Sequence, residues 1–591
     1  MTTARSTARG GSWLLEGAAE SPAFTPEQVT EEHRLIAQTT AAFAELEVLP
    51  ALERLEKKDW DLARSLLRRC GELGLLGVNV PEEYGGVDLD KVSSLIVSEH
   101  IARSASFAVT YGAQANLCIL PLVMFGTADQ KSRYLPGLVS GETVGAYALT
   151  ESGSGSDALG AKAKATRQPD GSFLVSGEKM WITNGGFADL FIVFAKADDD
   201  AFSAFMVERR FGGVTSGHEE HKMGLHGSST TALILQDVPV PATNLLGEIG
   251  RGHKVAFSVL NFGRFKLGAM CTGGCRIAIG ESARYAAARR QFGQPIAAFG
   301  AIRHKLGEMT ARTYALEALL YRTAGLIDEQ MGDAANPRLS FAAALEELAI
   351  EASIAKVFGS ETLDYVLDEN VQIHGGNGYV RDYPAERHYR DARVNRIFEG
   401  TNEINRLLVP GMLVKRALKG NLALVPAARR LLDEIMSPSL AAPESADERP
   451  LAAATRGVEA FKKVTVLALG AALERFGSKL QDEQEVLLWI ADLVIDTYAA
   501  ESALGRARAA DVLAPSDVAL HRAAVTVFVN DTAMRIETTS RQILAAIAEG
   551  DALRTHLAAL RRVLKVLPVD TVRPRRALAD ETVARGRYLF P

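Results

Sequence analysis

The hydrophobic residues change their spacing twice along the chain, and this change constrains the fold more than any other feature. Helical spacing extends to about residue 138, short strand-like runs bounded by Gly, Asn and Asp occupy residues 141–249, and long helical periods return over residues 250–418. We therefore expect a mostly α, α+β protein with a helical domain at residues 25–140, a mostly antiparallel β domain at 141–249 and a second helical domain at 250–418. The predicted strands include residues 172–175, 180–183 and 191–194.

The two ends of the chain are predicted to lie outside these three domains. Residues 1–24 are mainly small and polar near the start, so we expect a flexible tail. The sequence TPEQ at residues 25–28 combines a capping residue with a proline at the first helical position, which predicts that the first helix begins there. Residues 419–450 are expected to be a linker, because their second half concentrates Pro, Ser, Ala and acidic residues, and helical spacing over residues 451–591 predicts a separate, additional helical domain.

Length, charge and cysteine content exclude several classes of protein. At 591 residues the chain is too long for a single hydrophobic core. Its 66 basic and 72 acidic residues give a net charge of −6 without a basic field, so nucleic-acid binding is not expected. Four scattered cysteines do not make a disulfide framework, which favours a reducing compartment. No metal site is predicted, because Cys271 and Cys275, which share a helical face, have no second ligand pair nearby. The cysteines are Cys70, Cys118, Cys271 and Cys275.

No membrane-spanning segment is expected. The longest apolar run, residues 464–473, is interrupted by Thr465 and Gly470 and is shorter than the ~18 residues that a span needs. The N-terminus lacks the apolar stretch of a secretory signal. The charged residues of the linker between 437 and 450 are Glu444, Asp447, Glu448 and Arg449. They are mainly acidic, so we expect weak or absent lipid binding and at most a peripheral membrane attachment. Because no secretory signal is predicted, we expect a cytoplasmic protein, or a mitochondrial matrix protein if the source is eukaryotic.

Two segments of the predicted β domain have the composition of a ligand-binding surface. Residues 147–157, YALTESGSGSD, combine glycines, which let a backbone approach a ligand, with hydroxyls that can bond polar ring atoms or phosphates. Taken alone, this segment more often indicates a surface loop. Residues 179–186, KMWITNGG, place Trp181 and Thr183 on one face of a strand that ends in an Asn-Gly turn. That face suits a flat conjugated ring, although a Trp on a strand is more often part of the core.

Further motifs lie in the second helical domain. They are residues 289–293 (RRQFG), 371–378 (VQIHGGNG), 390–393 (RDAR) and 397–403 (IFEGTNE). Together with the two β-domain segments, in this order and spacing, they resemble the signatures of the acyl-CoA dehydrogenase family over residues 10–414. The run LNFGRF at residues 260–265 resembles the very-long-chain branch, whose members carry an extra C-terminal helical domain. The resemblance implies that family's fold, in which N-terminal helices, a middle β domain and a C-terminal four-helix bundle precede the extra domain.

The resemblance also implies an FAD enzyme in which Glu399 is the catalytic base. No GxGxxG fingerprint opens a βαβ unit, which disfavours a nicotinamide cofactor. In the family's reaction the base removes the α-proton of an acyl-CoA thioester and a hydride passes from the β-carbon to the flavin, which gives a trans-2-enoyl-CoA. Such a site must stabilise the developing enolate. The donors that the resemblance implies are the backbone N–H of Glu399 and the ribityl 2′-hydroxyl of the flavin.

The remaining site residues follow from the same resemblance, position by position. For FAD they are Tyr147, Leu149, Thr150, Gly155, Ser156, Trp181, Ile182, Thr183, Arg289, Phe292, Gln372, Gly375, Gly376, Thr401 and Glu403. For acyl-CoA they are Ser156, Asn261, Arg264, Phe398 and Gly400, with Cys118 and Pro121 at the floor of the acyl pocket. The residues implied to reach the FAD of a neighbouring subunit are Arg289, Phe292, Gln372 and Gly376. An oligomer is therefore expected.

Substrate and partners follow from the resemblance alone. The substrate is expected to be a medium-to-long-chain fatty acyl-CoA in β-oxidation, and the electron acceptor an electron-transfer flavoprotein. The chain is expected to form a homodimer, because the extra domain covers the face that shorter relatives use to pair dimers. Two alternatives stay open: an acyl-CoA oxidase that passes electrons to oxygen, and a non-catalytic protein that assembles a respiratory complex. At single positions, Glu399 could instead pair with Arg393 or Arg396, and Arg264 could be a surface ion-pair partner.

Overall fold

A computed structural model describes residues 9–18, 23–332, 336–437 and 451–590, and most of these residues are helical. The α-helices are α1 (Glu31–Phe43), α2 (Leu52–Glu56), α3 (Trp60–Glu72), α4 (Lys91–Ile101), α5 (Ala105–Gly112), α6 (Leu120–Phe125), α7 (Ala128–Val139), α8 (Gly252–Ala288), α9 (Gly300–Met331), α10 (Phe341–Glu347), α11 (Ala349–His374), α12 (Ala385–Ala392), α13 (Asn402–Leu418), α14 (Leu424–Met436), α15 (Ala452–Phe476), α16 (Gln484–Leu513), α17 (Val518–Ile547), α18 (Gly550–Val563) and α19 (Val572–Arg585). The strands are β1 (Gly145–Ala148), β2 (Lys164–Arg167), β3 (Phe173–Thr183), β4 (Leu190–Ala197), β5 (Ala201–Glu208), β6 (Val214–Glu219), β7 (Thr230–Val240), β8 (Leu245–Leu246), β9 (Arg290–Gln291) and β10 (Gln294–Pro295). The predicted α+β, mostly helical fold class is confirmed.

The middle of the chain folds into one sheet. Its strand order is β6-β7-β3-β2-β4-β5-β8, and β1 pairs with β4 from outside this path. Strand β4 pairs in parallel with β1 and β2, whereas the other pairs of the sheet are antiparallel, so the prediction of a mostly antiparallel domain is confirmed. The strands predicted at residues 172–175 and 180–183 are parts of the single strand β3. This strand has a bulge between Lys179 and Ile182, where it pairs with β7.

The long helix α8 is the axis of the second helical domain. It packs against α4, α9 and α11, and its 37 residues extend about 55 Å at the ordinary helical rise. Cys271 and Cys275 are fully buried in it, and burial raises the pKa of both thiols. Because α8 is continuous, groups at its two ends are held far apart within one chain.

The additional C-terminal helices share their core with the second helical domain. Helices α16, α17 and α19 pack against α9, and one continuous hydrophobic cluster includes side chains from both regions. The buried guanidinium of Arg506 pairs with Glu317 of α9 at 2.5 Å and with Glu27 at 2.8 Å. The extra helical domain is therefore present as predicted, but it is not a separate unit.

The expectation of a flexible tail over residues 1–24 is wrong for residues 9–18. Trp13 is only 4% exposed, its Nε1 donates to Oε1 of Glu351 at 3.0 Å, and its ring lies 4.7 Å from that of Tyr498. The carbonyl of Trp13 accepts from Nζ of Lys462 at 2.7 Å. The segment is ordered because its indole fills a site between α11, α15 and α16. Residues 1–8 and 19–22 lie outside the described residues.

Two predicted boundaries also differ from the structure. Residues 25–28 form a capping box as predicted, but the result is a single 3₁₀ turn, Pro26–Gln28, and α1 begins later, after the cap Thr30. The predicted linker at 419–450 contains helix α14, because Leu424 and Leu431 are buried against the core. Residues 438–450, on which the lipid-binding prediction depends, lie outside the described residues.

Among the residues that the structure describes, two helical stretches are long and apolar enough to cross a membrane by length and composition alone. They are Glu31–Glu56 and Ala105–Phe125, which the uninterrupted apolar runs of the sequence did not identify. In Ala105–Phe125, 78% of the apolar window is buried inside the protein, and in Glu31–Glu56 the share is 28%. Buried core helices and N-terminal signal sequences meet the same criterion, so it is weak support for a span.

Candidate active site

The turn before α13 has an unusual backbone. Glu399 and Gly400 have left-handed φ angles of 57° and 78°, and a residue other than glycine adopts this conformation only where its surroundings hold it. Nδ2 of Asn405 donates to the carbonyls of Gly400 at 2.9 Å and Thr401 at 3.0 Å. Thr401 caps α13 with its side chain. The start of α13 therefore holds the turn that carries Glu399.

Two buried cations hold the same turn from other helices. Nε of Arg264 on α8 donates to the carbonyl of Glu399 at 3.3 Å, and its Nη1 donates to Oδ1 of Asn261 at 2.9 Å. Nζ of Lys356 on α11 donates to the carbonyl of Gly400 at 2.7 Å. Burial lowers the pKa of Arg264 to about 10 and that of Lys356 to about 8. The interpretation of Arg264 as a surface ion-pair partner is therefore wrong.

The Glu399 carboxylate is poised to accept a proton. Its Oε2 is buried without a hydrogen-bond partner among the described residues, and it lies against α8, where a Cβ built on Gly263 would be 2.6 Å away. Burial raises the pKa of Glu399 to about 7, while the charges of Arg264 and Lys356 act in the opposite direction. A buried carboxyl group with a pKa near neutrality has the properties of a general base.

Neither arginine considered as an alternative partner neutralises this carboxylate. Arg396 pairs with Asp364 at 3.0 Å. Nη1 of Arg393 is buried without a hydrogen-bond partner in the described part of the chain. The alternative in which Glu399 pairs with one of these arginines is therefore wrong.

Of the β-domain residues predicted to hold FAD, Tyr147 lies near Glu399, and Trp181 is on the surface of the sheet. Tyr147 of β1 has a buried hydroxyl without a partner among the described residues, and burial together with the nearby Glu399 raises its pKa. Trp181 is 60% exposed and has a φ of 58° at the bulge of β3, whereas Ile182 next to it is buried and Thr183 half-buried. An exposed indole on a strained backbone position indicates a ligand surface rather than core.

A buried ion pair fixes the course of the Ser/Gly loop against β3. Nζ of Lys179 lies 2.7 Å from Oε1 of Glu151, and the Glu151 carboxylate also accepts from the backbone N–H of Lys162 at 2.6 Å. The backbone N–H of Met180 donates to the carbonyl of Thr150 at 2.9 Å. Thr150 is thus held beside the strand that carries the exposed tryptophan.

The same loop leaves open space for a ligand. A Cβ on Gly153 or Gly155 would meet no atom within 4 Å, and Ser156 is exposed, while Leu149 anchors the loop in the core. The open loop, the exposed indole and the unpartnered Tyr147 hydroxyl fit the phosphate, ring and polar edge of an FAD molecule.

Five further residues predicted for FAD lie near the far end of α8. Tyr285, near the end of α8, stacks on His374 at the end of α11 with 4.2 Å between ring centroids. The contact holds the ends of α8 and α11 together, and at or near these ends lie the predicted residues Arg289, Phe292, Gln372, Gly375 and Gly376. Phe292 is 93% exposed with a φ of 51°. Because Arg289 lies about 38 Å along α8 from Arg264, one chain carries two separate groups of predicted FAD residues.

Two predicted substrate residues, Asn261 and Phe398, and the predicted FAD residue Glu403 lie around the turn in different surroundings. Asn261 is buried, and its Nδ2 donates to the carbonyl of Leu345 at 3.3 Å. Phe398 is half-buried against the main hydrophobic cluster. Glu403 is exposed in the first turn of α13, where backbone donors lower its pKa. The structure thus groups Asn261, Phe398 and Glu403 around the turn of Glu399.

Cys118 and Pro121 do not line the apolar cavity near the site, contrary to the prediction of a pocket floor. Cys118 packs beneath β1, where a Cβ on Gly145 would be 2.4 Å from its Sγ. Pro121 follows the π-helical segment Ala113–Ile119, whose wider turn accommodates the missing N–H. The cavity, of about 60 Å³, lies instead between α5, α8 and α11, with the lining residues Ala105, Val109, Leu267, Met270, Gly274 and Leu363 among others.

Sequence reasoning missed several residues that build this site. They are Lys356, Asn405, Gly263 and the pair of Glu151 with Lys179. A lysine within the otherwise apolar stretch of α11 is the signal that could have identified Lys356, because buried lysines need partners. The other three gain their roles from contacts between distant segments, which no local pattern reveals.

Comparisons with known proteins agree with this geometry. Family models described as acyl-CoA dehydrogenase N-terminal and middle domains match residues 30–142 and 146–238, and two described as the C-terminal domain match residues 250–411 and 460–562. A probable acyl-CoA dehydrogenase of Bacillus subtilis (strain 168) is 46% identical over 586 residues, which cover 98% of each chain. The mitochondrial very long-chain specific acyl-CoA dehydrogenase of Homo sapiens is 38% identical over 489 residues, 77% of this chain and 70% of the human protein.

A solved structure shares the whole architecture. It is the acyl-CoA dehydrogenase of Bacillus anthracis complexed with FAD, with a TM-score of 0.95 and 46% identity over 98% of this chain and all of that one. Fold and site define a flavin-dependent dehydrogenase of acyl thioesters. The chain belongs to the acyl-CoA dehydrogenase family and is an FAD-dependent acyl-CoA dehydrogenase.

Proposed function

We propose that this enzyme oxidises medium-to-long-chain fatty acyl-CoA to trans-2-enoyl-CoA, with Glu399 as the base that removes the α-proton. The observation that carries the proposal is the buried, unpartnered Glu399 carboxylate, with a pKa of about 7, on the face of α8 that leads to the apolar cavity. An α-C–H bond is a very weak acid, so the site must provide a base of sufficient strength and donors for the developing enolate.

The residues around Glu399 position this base. Arg264, Lys356 and Asn405 donate to consecutive carbonyls of the turn, so these carbonyls are engaged by donors and the left-handed backbone is held in place. We infer that the backbone N–H of Glu399 is free to bond the thioester oxygen. Glu399 is half-buried and its Oε2 is fully buried, which limits solvation of this oxygen and keeps the carboxylate a stronger base.

For the cofactor, Tyr147, Thr150 and Thr183 are suited to bond its polar groups, and Trp181 to stack on its ring. The open space at Gly155 lets the loop approach a phosphate. FAD, when bound, accepts the hydride that leaves the β-carbon.

The acyl chain length is inferred from α8. Gly263 touches the Glu399 carboxylate, and Leu267, Met270 and Gly274 follow on the same helical face and line the apolar cavity. A tail that starts at Glu399 and follows this face therefore passes several apolar and small side chains. This supports a medium-to-long optimum, and activity confined to four-carbon substrates would contradict it.

The separation of the predicted FAD residues supports a homodimer in which each FAD is completed by the partner. A complementation experiment tests this directly. Glu399→Gln and Arg289→Ala variants are each purified, mixed, dissociated and reassociated. If Arg289 acts across the interface, the mixed dimer regains one intact site and activity returns, whereas activity stays absent if all residues of a site come from one chain.

For the electron acceptor we propose an electron-transfer flavoprotein. We place the enzyme in the cytoplasm, or in the mitochondrial matrix if the source is eukaryotic. Its attachment to a membrane is at most peripheral. The decisive experiment mixes the purified enzyme with hexadecanoyl-CoA without oxygen and follows the flavin absorbance. Bleaching supports dehydrogenation, and its absence in an FAD-loaded enzyme would refute the proposed function and favour a non-catalytic role. Rapid reoxidation by oxygen without an added acceptor would favour an oxidase.

A further inference from the structure

A second pocket lies next to the apolar cavity, on the neighbouring face of α8. Its volume is about 230 Å³, and it is bounded by the end of α4, by α8 and by the residues after α19. Ile277 lines both spaces, and the adjacent residues Gly273 and Gly274 line one each. Ile277 is therefore part of the wall between the apolar cavity and the second pocket.

The second pocket is lined by four arginines, Arg103, Arg276, Arg284 and Arg587. Arg276 pairs with Glu317 at 3.2 Å and Arg103 with Glu45 at 2.8 Å. Arg284 donates to the carbonyl of Gly586 at 2.8 Å. Within the described residues, neither Arg284 nor Arg587 forms an ion pair. Two guanidinium charges of the pocket are therefore not neutralised by a carboxylate.

The other titratable groups of the pocket do not restore neutrality. Glu99 lies 3.9 Å from Arg276, which also pairs with Glu317, and burial raises the pKa of Glu99 to about 8 and lowers that of His100 to about 3. Neither group therefore neutralises Arg284 or Arg587. The remaining positive charge favours an anionic group in this pocket.

The position of the pocket along α8 matches the far end of a long acyl chain. The unpaired arginines lie at the level of Gly280, where a Cβ would be 3.0 Å from Nη1 of Arg284. Between Gly263, which touches the catalytic carboxylate, and Gly280 the helix rises about 26 Å. An extended carbon chain advances somewhat less than one 1.5 Å bond length per carbon, so about 26 Å corresponds to roughly twenty carbons. A chain of this length that follows the apolar face passes Ile277 and ends beside Arg284.

We propose that the arginine pocket binds the terminal carboxylate of a long ω-carboxyacyl-CoA, so that the enzyme oxidises dicarboxylic as well as monocarboxylic acyl chains. The inference rests on the proposed function, because the chain must start at Glu399. A wholly apolar pocket would disfavour such a carboxylate by about a hundredfold or more, since it would bury an unpaired charge. The arginine pocket removes this penalty through charge-assisted hydrogen bonds.

The test compares kcat/KM for ω-carboxynonadecanoyl-CoA with kcat/KM for eicosanoyl-CoA, whose acyl chains are equally long at roughly twenty carbons, in the FAD-loaded enzyme. In the wild type we expect the two values of kcat/KM to agree within about tenfold. In the double variant Arg284→Gln/Arg587→Gln we expect the ratio of kcat/KM for the ω-carboxyacyl-CoA to kcat/KM for the unsubstituted acyl-CoA to fall at least tenfold. Arg587→Gln alone, at an exposed position, should lower the ratio in the same direction. The matched control is Arg573→Gln, an exposed arginine of α19 that lies 3.6 Å from Asp570 and should leave the ratio unchanged.

Other outcomes separate the possible failures. A wild-type ratio below about one hundredth, or arginine variants that keep the wild-type ratio, would overturn the carboxylate pocket while the proposed function stands. If neither substrate bleaches the flavin, the proposed function fails and this inference fails with it. If inorganic phosphate raises the Tm of the wild type but not of the arginine variants, and the substrate ratio does not respond to them, the pocket holds a free anion and the proposal is wrong.

Discussion

The carboxylate of Glu399 lies so close to α8 that a Cβ at Gly263 would be 2.6 Å from its Oε2 and 3.0 Å from its Cδ. The absence of a side chain at Gly263 therefore determines where the base can be. In Gly263→Ala the carboxylate must move, and we expect the rate of flavin reduction to fall by about 10²-fold at unchanged FAD content, the scale expected when a reacting group is misplaced. The control is Gly411→Ala on α13, where a Cβ would meet nothing within 4 Å. A full rate in Gly263→Ala would show that the carboxylate is placed by other contacts.

Lys356 should act on the base through the turn that it holds. Lys356→Met removes the donor to the carbonyl of Gly400 and a positive charge that lowers the pKa of Glu399. We expect a lower kcat, and an acidic limb of the pH profile that moves to higher pH, because the remaining base binds its proton more tightly. Lys254→Met, at an exposed position of α8, is the control. A lower Tm with an unchanged pH profile would mean that Lys356 only stabilises the fold.

The pH dependence of the free enzyme follows from the raised pKa of Glu399. The base is active when deprotonated, so kcat/KM should rise with pH, with a midpoint near the pKa of about 7, and level off above it. The same shift affects stability with the opposite sign. The unfolded state releases this proton near pH 4.5 but the folded state only near 7, so the contribution of Glu399 to the free energy of unfolding falls as pH rises through this window and is constant above it. A midpoint near 4.5 would show that the carboxylate is solvated.

Arg506 links the C-terminal helices to the rest of the fold. Arg506→Met leaves the buried carboxylate of Glu27 without its guanidinium partner and leaves Glu317 with Arg276 alone. Removing one partner of a buried pair typically costs about 3–5 kcal/mol. Chemical denaturation should show this loss. Arg541→Met serves as the control, because Arg541 forms an exposed pair with Glu537 and should change stability by less than about 1 kcal/mol. A small loss in Arg506→Met would indicate that the C-terminal helices fold independently.

Much of the fold could be predicted because it depends on local patterns. The alternation of helical and strand spacing predicted the position of the sheet, and the motifs around Trp181 and Glu399 indicated the ligand surface. The packed N-terminal turn could not be predicted in this way. A single tryptophan among small residues carries no periodic signal, and Trp13 becomes ordered only because Glu351, Tyr498 and Lys462 meet around it.

The site was predicted less completely, for a related reason. The resemblance of its motif to a known family implied Glu399, but the contacts that hold its turn come from α8 and α11, far along the chain. The family resemblance placed Cys118 at the pocket floor, whereas in the structure Cys118 packs closely beneath β1 at Gly145. Such tertiary contacts have no signature in the neighbouring sequence.

The central claim is that Glu399 accepts the α-proton, and stopped-flow reduction of the flavin in Glu399→Gln tests it most directly. Glutamine keeps the size and hydrogen-bonding capacity of the side chain but cannot accept the proton. FAD and hexadecanoyl-CoA should therefore still bind, while flavin reduction per bound FAD slows by about 10²–10⁴-fold, the scale expected when a general base is removed. Near-normal reduction in Glu399→Gln, normalised to FAD content, would contradict the assignment.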